Sequence, residues 1–376
     1  MHIVHYNLTT TTKEGGVETF VWDLAREQAR AGHRVTIVSG RGPVSRDVPG
    51  VEVKTTGYVD RDRFAFGPLR RAWAIRKLAE RLTMLPSGFF LVGRPDLVHI
   101  HKPYDLPLAL LLRPRGVPVF YHGHGEGFFP GDRFLARSAA ALLSCSTYNA
   151  ETLRRRYGLE PTVVFNGVDT GHFRPREADP ELRTALAGNA RFLVLMPGRL
   201  MPWKGHAYVI DALATIPDVP ARLVVLGDGE TRERLEDQAA ALGVADRVVF
   251  TGTVSHREMP RYFAVSDLVL GASLASETFG MVLAEAMACE RSVLASSWRG
   301  YDDVVIQGET GERFAAGDVP ALAGALRRLL TADDVRAAHA AAGRRRVDDL
   351  FGWARVAERV QGVYDRILGP RAGTAT

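Results

Sequence analysis

Two carboxylates eight residues apart bracket the strongest chemical signal in the sequence, Glu277-Thr278-Phe279-Gly280-Met281-Val282-Leu283-Ala284-Glu285. Carboxylates accept hydrogen bonds and hydroxyls donate them, so the pair suits a sugar and a ribose. Between them Gly280 opens a predicted helix. There the amides of Gly280, Met281 and Val282 offer N–H groups to a phosphate. Taken singly, each glutamate has a plainer reading: Glu277 offsets a helix dipole, and Glu285 sits on a solvated face. A second signal, Gly198-Arg199-Leu200-Met201-Pro202-Trp203-Lys204-Gly205, sets two cations five residues apart after a strand-like run. Such a pair can hold both phosphates of a diphosphate and neutralise charge on a leaving group. Near the N-terminus, Gly15-Gly16 lies between a strand and a helix, where backbone can approach an anion closely. The spacing is not the Gly-x-Gly-x-x-Gly of a nicotinamide site, and no Gly-x-x-x-x-Gly-Lys-Ser/Thr loop occurs.

Histidines and acidic pairs raise the question of a metal. His99/His101 and His122/His124 each sit two apart at a strand end, so each pair shares one face and has metal-ligand spacing. Asp60-Arg61-Asp62 mimics an Asp-x-Asp metal motif, but its flanking arginines oppose a cation, and it reads as a charged surface loop. Arg199 and Lys204 can do a metal's electrostatic work, so no metal is expected. Cys145 and Cys289 form no disulfide framework and no Cys-x-x-Cys pair.

These residues need elements to hold them. Continuous Val/Ile/Leu runs alternate with helical stretches along the whole chain, as for parallel strands covered on both faces. The first half carries runs at 2–8, 34–40, 51–57, 96–101, 118–123, 142–146 and 162–166; the second at 192–198, 222–227, 247–252, 267–273 and 292–296. Predicted helices include 17–31, 68–82, 204–213 and 280–288. A turn at Asn166-Gly167-Val168-Asp169 and a polar stretch to about residue 190 separate two similar α/β domains, whose strand ends are expected to face a central cleft. Residues 1–165 hold 23 Lys and Arg against 15 Asp and Glu, an excess of eight, within a chain whose net charge is +5. No nucleic-acid signature accompanies that basic half, so no nucleic-acid partner is expected. Within it, Pro68–Leu82 reads as one amphipathic helix carrying Arg70, Arg71, Arg76, Lys77 and Arg81. That helix is either a packed element with a solvated cationic face or a weak peripheral contact to an anionic membrane. No apolar run is long enough to span a membrane and no secretion signal is seen, so the expected location is cytoplasmic, including the inner membrane face.

The order Gly15-Gly16, then Arg199 and Lys204, then Glu277 through Glu285 resembles the family-4 retaining glycosyltransferases of GT-B fold. Asp96–His101, Asn166–Asp169, Gly227-Asp228-Gly229-Glu230 and Val249-Phe250-Thr251-Gly252 also look like that family's segments. The resemblance implies two Rossmann-like doubly wound parallel-sheet domains. They are an acceptor-binding domain over 1–168 and a donor-binding domain over 169–350; a helix over 351–368 crosses back, and a disordered tail spans 369–376. It implies transfer of a hexosyl group from a nucleoside-diphosphate sugar (UDP or GDP) to a small-molecule or lipid-linked acceptor, with retention. Arg199 and Lys204 would take the diphosphate, Glu277 the transferred sugar, Glu285 the ribose, and Gly15 and Gly16 would close on the phosphates. Gly229, Thr251, Phe279, Gly280, Met281 and Val282 complete the implied donor site. His124 matches a histidine near the reacting sugar, with His122 as the other candidate. Glu277 is the motif's one candidate for a covalent nucleophile in a competing mechanism. The rival functions are a nucleotide-sugar epimerase on the same scaffold, and a metal-dependent hydrolase using the His-x-His pairs.

Overall fold

A computed structural model describes residues 1–369; the tail expected over 369–376 lies, beyond Gly369, outside the described residues. The chain divides into two compact units. One comprises Met1–Gly167 and the segment from Trp353 onward, the other Val168–Gly352. The second boundary thus falls two residues later than the sequence reading placed it, after a π-helical turn over Val347–Phe351.

The first unit holds a seven-stranded sheet of β1 (His2–Tyr6), β2 (Arg34–Gly40), β3 (Val51–Thr56), β4 (Leu97–Ile100), β5 (Val119–Gly123), β6 (Ala141–Ser144) and β7 (Thr162–Val163), in the order β3-β2-β1-β4-β5-β6-β7. Every pairing is parallel. The second unit holds β8 (Phe192–Pro197), β9 (Ala221–Leu226), β10 (Val248–Gly252), β11 (Leu268–Gly271), β12 (Val293–Ser296) and β13 (Glu312–Phe314), in the order β10-β9-β8-β11-β12-β13. Both sheets are doubly wound, and the winding reverses between β1 and β4 in one and between β8 and β11 in the other. Ligands of such sheets bind beyond the strand C-termini at that switch point.

Strand alternation fixes what each face does. On one face of the first sheet Ile3, Leu97, Phe120 and Leu143 pack under the helices Gly16–Arg30 and Trp353–Leu368, through Phe20, Leu24, Val356 and Tyr364. His5, His99 and His122 lie two residues further along the same strands, so they continue that face at the C-terminal edge. The opposite face is a separate apolar layer around Val4, Tyr6, Val98 and Tyr121.

The expected helix over 68–82 is corrected. Gly67–Arg71 forms a 3₁₀ turn, and the helix runs from Trp73 to Val92 through Pro86. Its faces are also reversed: Arg76 and Arg81 are buried while Trp73, Ile75 and Leu82 are exposed. Polar partners decide this. Arg76 donates to the Arg61 carbonyl at 3.2 Å and pairs with Asp62, and Arg81 bonds both Asp105 carboxylate oxygens at 3.1 and 3.2 Å. Among the described residues, no helix is long and apolar enough to cross a membrane.

Candidate functional site

In the second unit the loops after β8, β9 and β11 are laced together. The Gly198 amide donates to the Leu226 carbonyl at 2.9 Å, Leu200 to Asp228 at 3.0 Å, and Leu274 to Trp203 at 2.7 Å. Gly229 belongs to this lacing, since a Cβ there would stand 2.5 Å from the Leu200 carbonyl oxygen. Lys204 ends a short turn over Pro202–Lys204, and its Nζ donates to Glu277 Oε2 at 2.5 Å, with about a quarter of each side chain exposed. The Glu277 carbonyl accepts from Trp298 Nε1 at 2.8 Å. Ser276 just before it holds a left-handed φ of 59°, one of two non-glycine residues described there. Glu277 is therefore placed by a constrained turn and not by a regular element.

Gly280 caps the helix Met281–Ala288 with φ 88°, and a Cβ on it would lie 2.6 Å from the Tyr301 ring. The glycine therefore lets the Met281 and Val282 amides open onto a small cavity of about 90 Å³, which Lys204, His206, Glu277 and Tyr301 also line. Arg199 is exposed on the adjoining loop and makes no ion pair among the described residues. His206 is 2% exposed, neither ring nitrogen has a partner, and burial beside Lys204 pulls it down to about 4. This arrangement is cationic and amide-rich, with one carboxylate, and it suits an anionic group joined to a polyol.

Three expected donor contacts sit elsewhere. Glu285 is buried and its Oε1 accepts from His256 Nε2 at 2.8 Å, so its solvated-face reading is corrected. The Phe279 ring packs at 5.2 Å against Phe351, which leaves only its backbone for a ligand. The Thr251 hydroxyl donates to the Val225 and Gly252 carbonyls at 3.3 and 3.0 Å, within its own sheet.

The first unit's switch point carries a different set. Gly15 caps the helix Gly16–Arg30 in extended conformation, and a Cβ on it would meet Glu18 Oε2 at 2.5 Å. Glu18 is buried, accepts from the Thr9 hydroxyl, and takes Lys102 Nζ at 3.4 Å. Burial would raise its carboxyl, but Lys102, Thr9 and Lys13 together hold it below the usual range. Burial also brings Lys102 down to about 8. The side chain that meets the Gly15-Gly16 helix start is thus a carboxylate of the same chain. Nearby, His124 is half-buried, its Nε2 lies 3.4 Å from His101 Nδ1, and Phe20 stands edge-on at 4.5 Å. His122 is fully buried with neither nitrogen bonded, and it is corrected to a core residue. Asp60 caps the 3₁₀ turn Arg61–Phe64 by accepting from the Asp62 amide at 2.8 Å, while Asp62 faces Arg76.

Two family models cover these units: glycosyl transferases group 1 over residues 180–346, and glycosyltransferase family 4 over residues 14–172. A D-inositol 3-phosphate glycosyltransferase of Xylanimonas cellulosilytica is 30% identical over 94% of this chain and 92% of its own length. The chain belongs to glycosyltransferase family 4. A phosphatidyl-myo-inositol mannosyltransferase of Mycolicibacterium smegmatis is 27% identical over 94% of this chain and 91% of its own length. The GT-B fold is shared with an Anabaena protein solved with UDP and glucose, at TM-score 0.78, 23% identity, 97% of this chain and all of that one.

In this family-4 glycosyltransferase, Lys204, Glu277, Gly280, Met281 and Val282 converge on one cavity, and Arg199 stands on the adjoining loop. His206, His256, Lys102 and His5 were missed by the sequence reading. His206 follows Lys204-Gly205 in the same motif, and His5 lies level with His99 on the neighbouring strand, so both were within reach of position alone. Nothing in the sequence pointed from His256 to Glu285.

Proposed function

We propose that this glycosyltransferase moves a hexosyl group from a nucleoside-diphosphate sugar, UDP- or GDP-linked, to an acceptor hydroxyl with retention and without a metal. The observation that carries the reading is the Lys204–Glu277 pair, 2.5 Å apart, set beside the amide end of the helix Met281–Ala288 at the β8/β11 switch point. Lys204, Arg199 and the Met281 and Val282 amides take the diphosphate. Glu277, relieved of part of its charge pairing, accepts from the sugar hydroxyls. The bond from the anomeric carbon to the phosphate oxygen breaks as the acceptor oxygen bonds the same face of that carbon. The acceptor's proton passes to the departing phosphate oxygen, whose charge the two cations stabilise. In the first unit, His124 is the residue assigned to the reacting sugar, and Gly15-Gly16 is assigned to the phosphates. Glu285 takes the ribose.

The acceptor is a small polyol or its lipid-linked form. A lipid-linked one is favoured by the exposed Phe66, Trp73 and Ile75 beside Arg63, Arg70 and Arg71, which give the 58–82 segment an apolar and cationic surface. The test is to incubate the protein in excess EDTA with UDP- and GDP-hexoses, adding either inositol phosphate or phosphatidylinositol vesicles. Product anomers are then read by NMR. An α-linked product from an α-linked donor is expected. An inverted product, an isomerised donor with no transfer, or activity restored only by Mg²⁺ or Mn²⁺ contradicts the reading.

A further inference from the structure

Five histidines, His5, His99, His101, His122 and His124, gather on one face of the first sheet at the ends of β1, β4 and β5. Two geometries coexist among them. His5 Nδ1 and His101 Nε2 are 3.0 Å apart with ring centres 5.3 Å apart; His101 Nδ1 and His124 Nε2 are 3.4 Å apart with centres 5.7 Å apart. In both cases the centre separation is the longest the N···N contact allows, so ring centres and nitrogens are collinear. The rings are only 25° and 23° from parallel planes. His5, His101 and His124 therefore form an edge-to-edge row. His99 and His122 lie on its face, with centres 4.5 Å from His101 and 4.4 Å from His124.

This geometry decides between a metal site and a hydrogen-bonded row. His5, His99 and His101 bring nitrogens within 4.8 Å of one another, close enough to suggest a three-histidine ion site. Ligation requires lone pairs that converge on one point. In the row each lone pair points along the N···N line at its neighbour, and in the face-stacked pairs the lone pairs run side by side. Neither arrangement converges, and the collinear one is what an N–H···N bond requires.

The sense of the row follows from its inner end. His5 Nε2 is 2.7 Å from Gln28 Oε1, and Gln28 Nε2 donates to the Tyr364 hydroxyl at 3.3 Å, which itself bonds His99 Nδ1 at 2.5 Å. An amide oxygen only accepts, so His5 carries its proton on Nε2 and accepts at Nδ1. His101 then donates from Nε2 and accepts at Nδ1, and His124 donates from Nε2. Burial keeps these rings neutral, which the one-donor, one-acceptor pattern needs.

We propose that His5 and His101, anchored by Gln28, are positioning residues that hold His124 as the neutral Nε2–H tautomer, so that it meets substrate through Nδ1 as a hydrogen-bond acceptor. This rests on His124 being the sugar-side histidine of the proposed reaction, and it deepens that assignment. His124 receives a hydrogen bond from a hydroxyl of the sugar or acceptor and does not donate one to phosphate. The residue order predicts a rescue. Glutamine at 101 offers one donor for His5 Nδ1 and one acceptor for His124 Nε2–H, whereas leucine offers neither.

Nitrogen-15 NMR of the histidine-labelled full chain, without substrate, tests the row directly. In the wild type His5, His101 and His124 should all show protonated Nε2 and unprotonated Nδ1 at pH 7, and remain neutral at pH 5.5. His101→Leu should mix the His124 tautomers and move its titration towards 6.5, while His101→Gln should preserve both. Transfer from the donor hexoses named above should fall about tenfold in kcat in His101→Leu, the net worth of one hydrogen bond to an active group, with donor KM unchanged, and recover in His101→Gln. An Nδ1–H tautomer on wild-type His124 overturns the proposal even if neither variant folds. So does Zn²⁺ alone raising the melting temperature of the wild type but not of His101→Gln, which would make the row an ion site. Unchanged transfer in His124→Asn overturns the positioning role. Failure of the broader reading is read separately, as an absence of nucleoside-diphosphate binding with the tautomers intact.

Discussion

The histidine face makes acid stability the sharpest prediction about the first unit. His5 sits at about 4 because burial opposes its charged form, and His99, His101 and His122 are held well below the ordinary value of 6.5 for the same reason. A histidine depressed in the folded state leaves the unfolded chain binding more protons below pH 6.5. Its stabilisation is therefore complete above that value and drains away as pH falls towards the folded-state value. Between pH 7.5 and 5.0, protonation of the unfolded chain alone removes ~2 kcal/mol for His5, and each similarly depressed neighbour adds to the loss. Glu18 titrates below this window, but buried Asp105, raised to about 6, protonates within it and offsets ~1 kcal/mol of the loss, so the depressed histidines together set the sign of the change. With a urea m-value of ~2 kcal/mol/M, His5 alone lowers the midpoint by ~1 M. Circular dichroism in urea at the two pH values measures the shift. Limited proteolysis with mass spectrometry then locates the first cleavages, expected within residues 1–167. A midpoint unchanged to within ~0.2 M, or first cleavage in residues 168–352, would refute the reasoning.

Three further predictions concern single positions. Arg199→Ala and Lys204→Ala should each lower kcat/KM by ~10² or more by removing charge stabilisation of the leaving group, with far-UV spectra unchanged. Gly280→Ala should destabilise the second unit by ~2 kcal/mol or more, seen as a melting shift of several degrees, because its φ of 88° and the Tyr301 ring both exclude a Cβ. Arg76→Ala should cost about 1–2 kcal/mol in urea unfolding, whereas exposed Arg71→Ala should stay within ~0.5 kcal/mol.

Much of the architecture was legible because parallel strands buried on both faces leave long Val/Ile/Leu runs, whereas the strand order, and with it the two switch points, came from the structure. Short elements were not. Glu312–Phe314 is three residues with two charges, and Thr162–Val163 is only two, so neither leaves a hydrophobic period to read. Pro68–Leu82 misled for a physical reason: a basic helix is read as cations outward, but buried Asp105 pairs with Arg81, and Arg76 folds against the Arg61 and Arg70 carbonyls and reaches exposed Asp62. At the site, Lys204, Glu277 and Gly280 were visible because loop glycines and a helix cap mark them. Pairings such as Glu285 with His256, or the row from Gln28 to His124, arise between strands and helices distant in the chain, and no local pattern encodes them.

The central claim is that the Arg199–Lys204 loop and the helix start at Met281 form a diphosphate site. Isothermal titration of the wild type and Lys204→Ala with UDP, GDP, ADP and dTDP tests it most directly. One nucleotide should bind the wild type well above the others, and its affinity should fall by ~10-fold or more in the variant, the worth of a charge-assisted hydrogen bond. Equal affinity in both proteins, or no binding of any of the four to the folded wild type, would contradict the account.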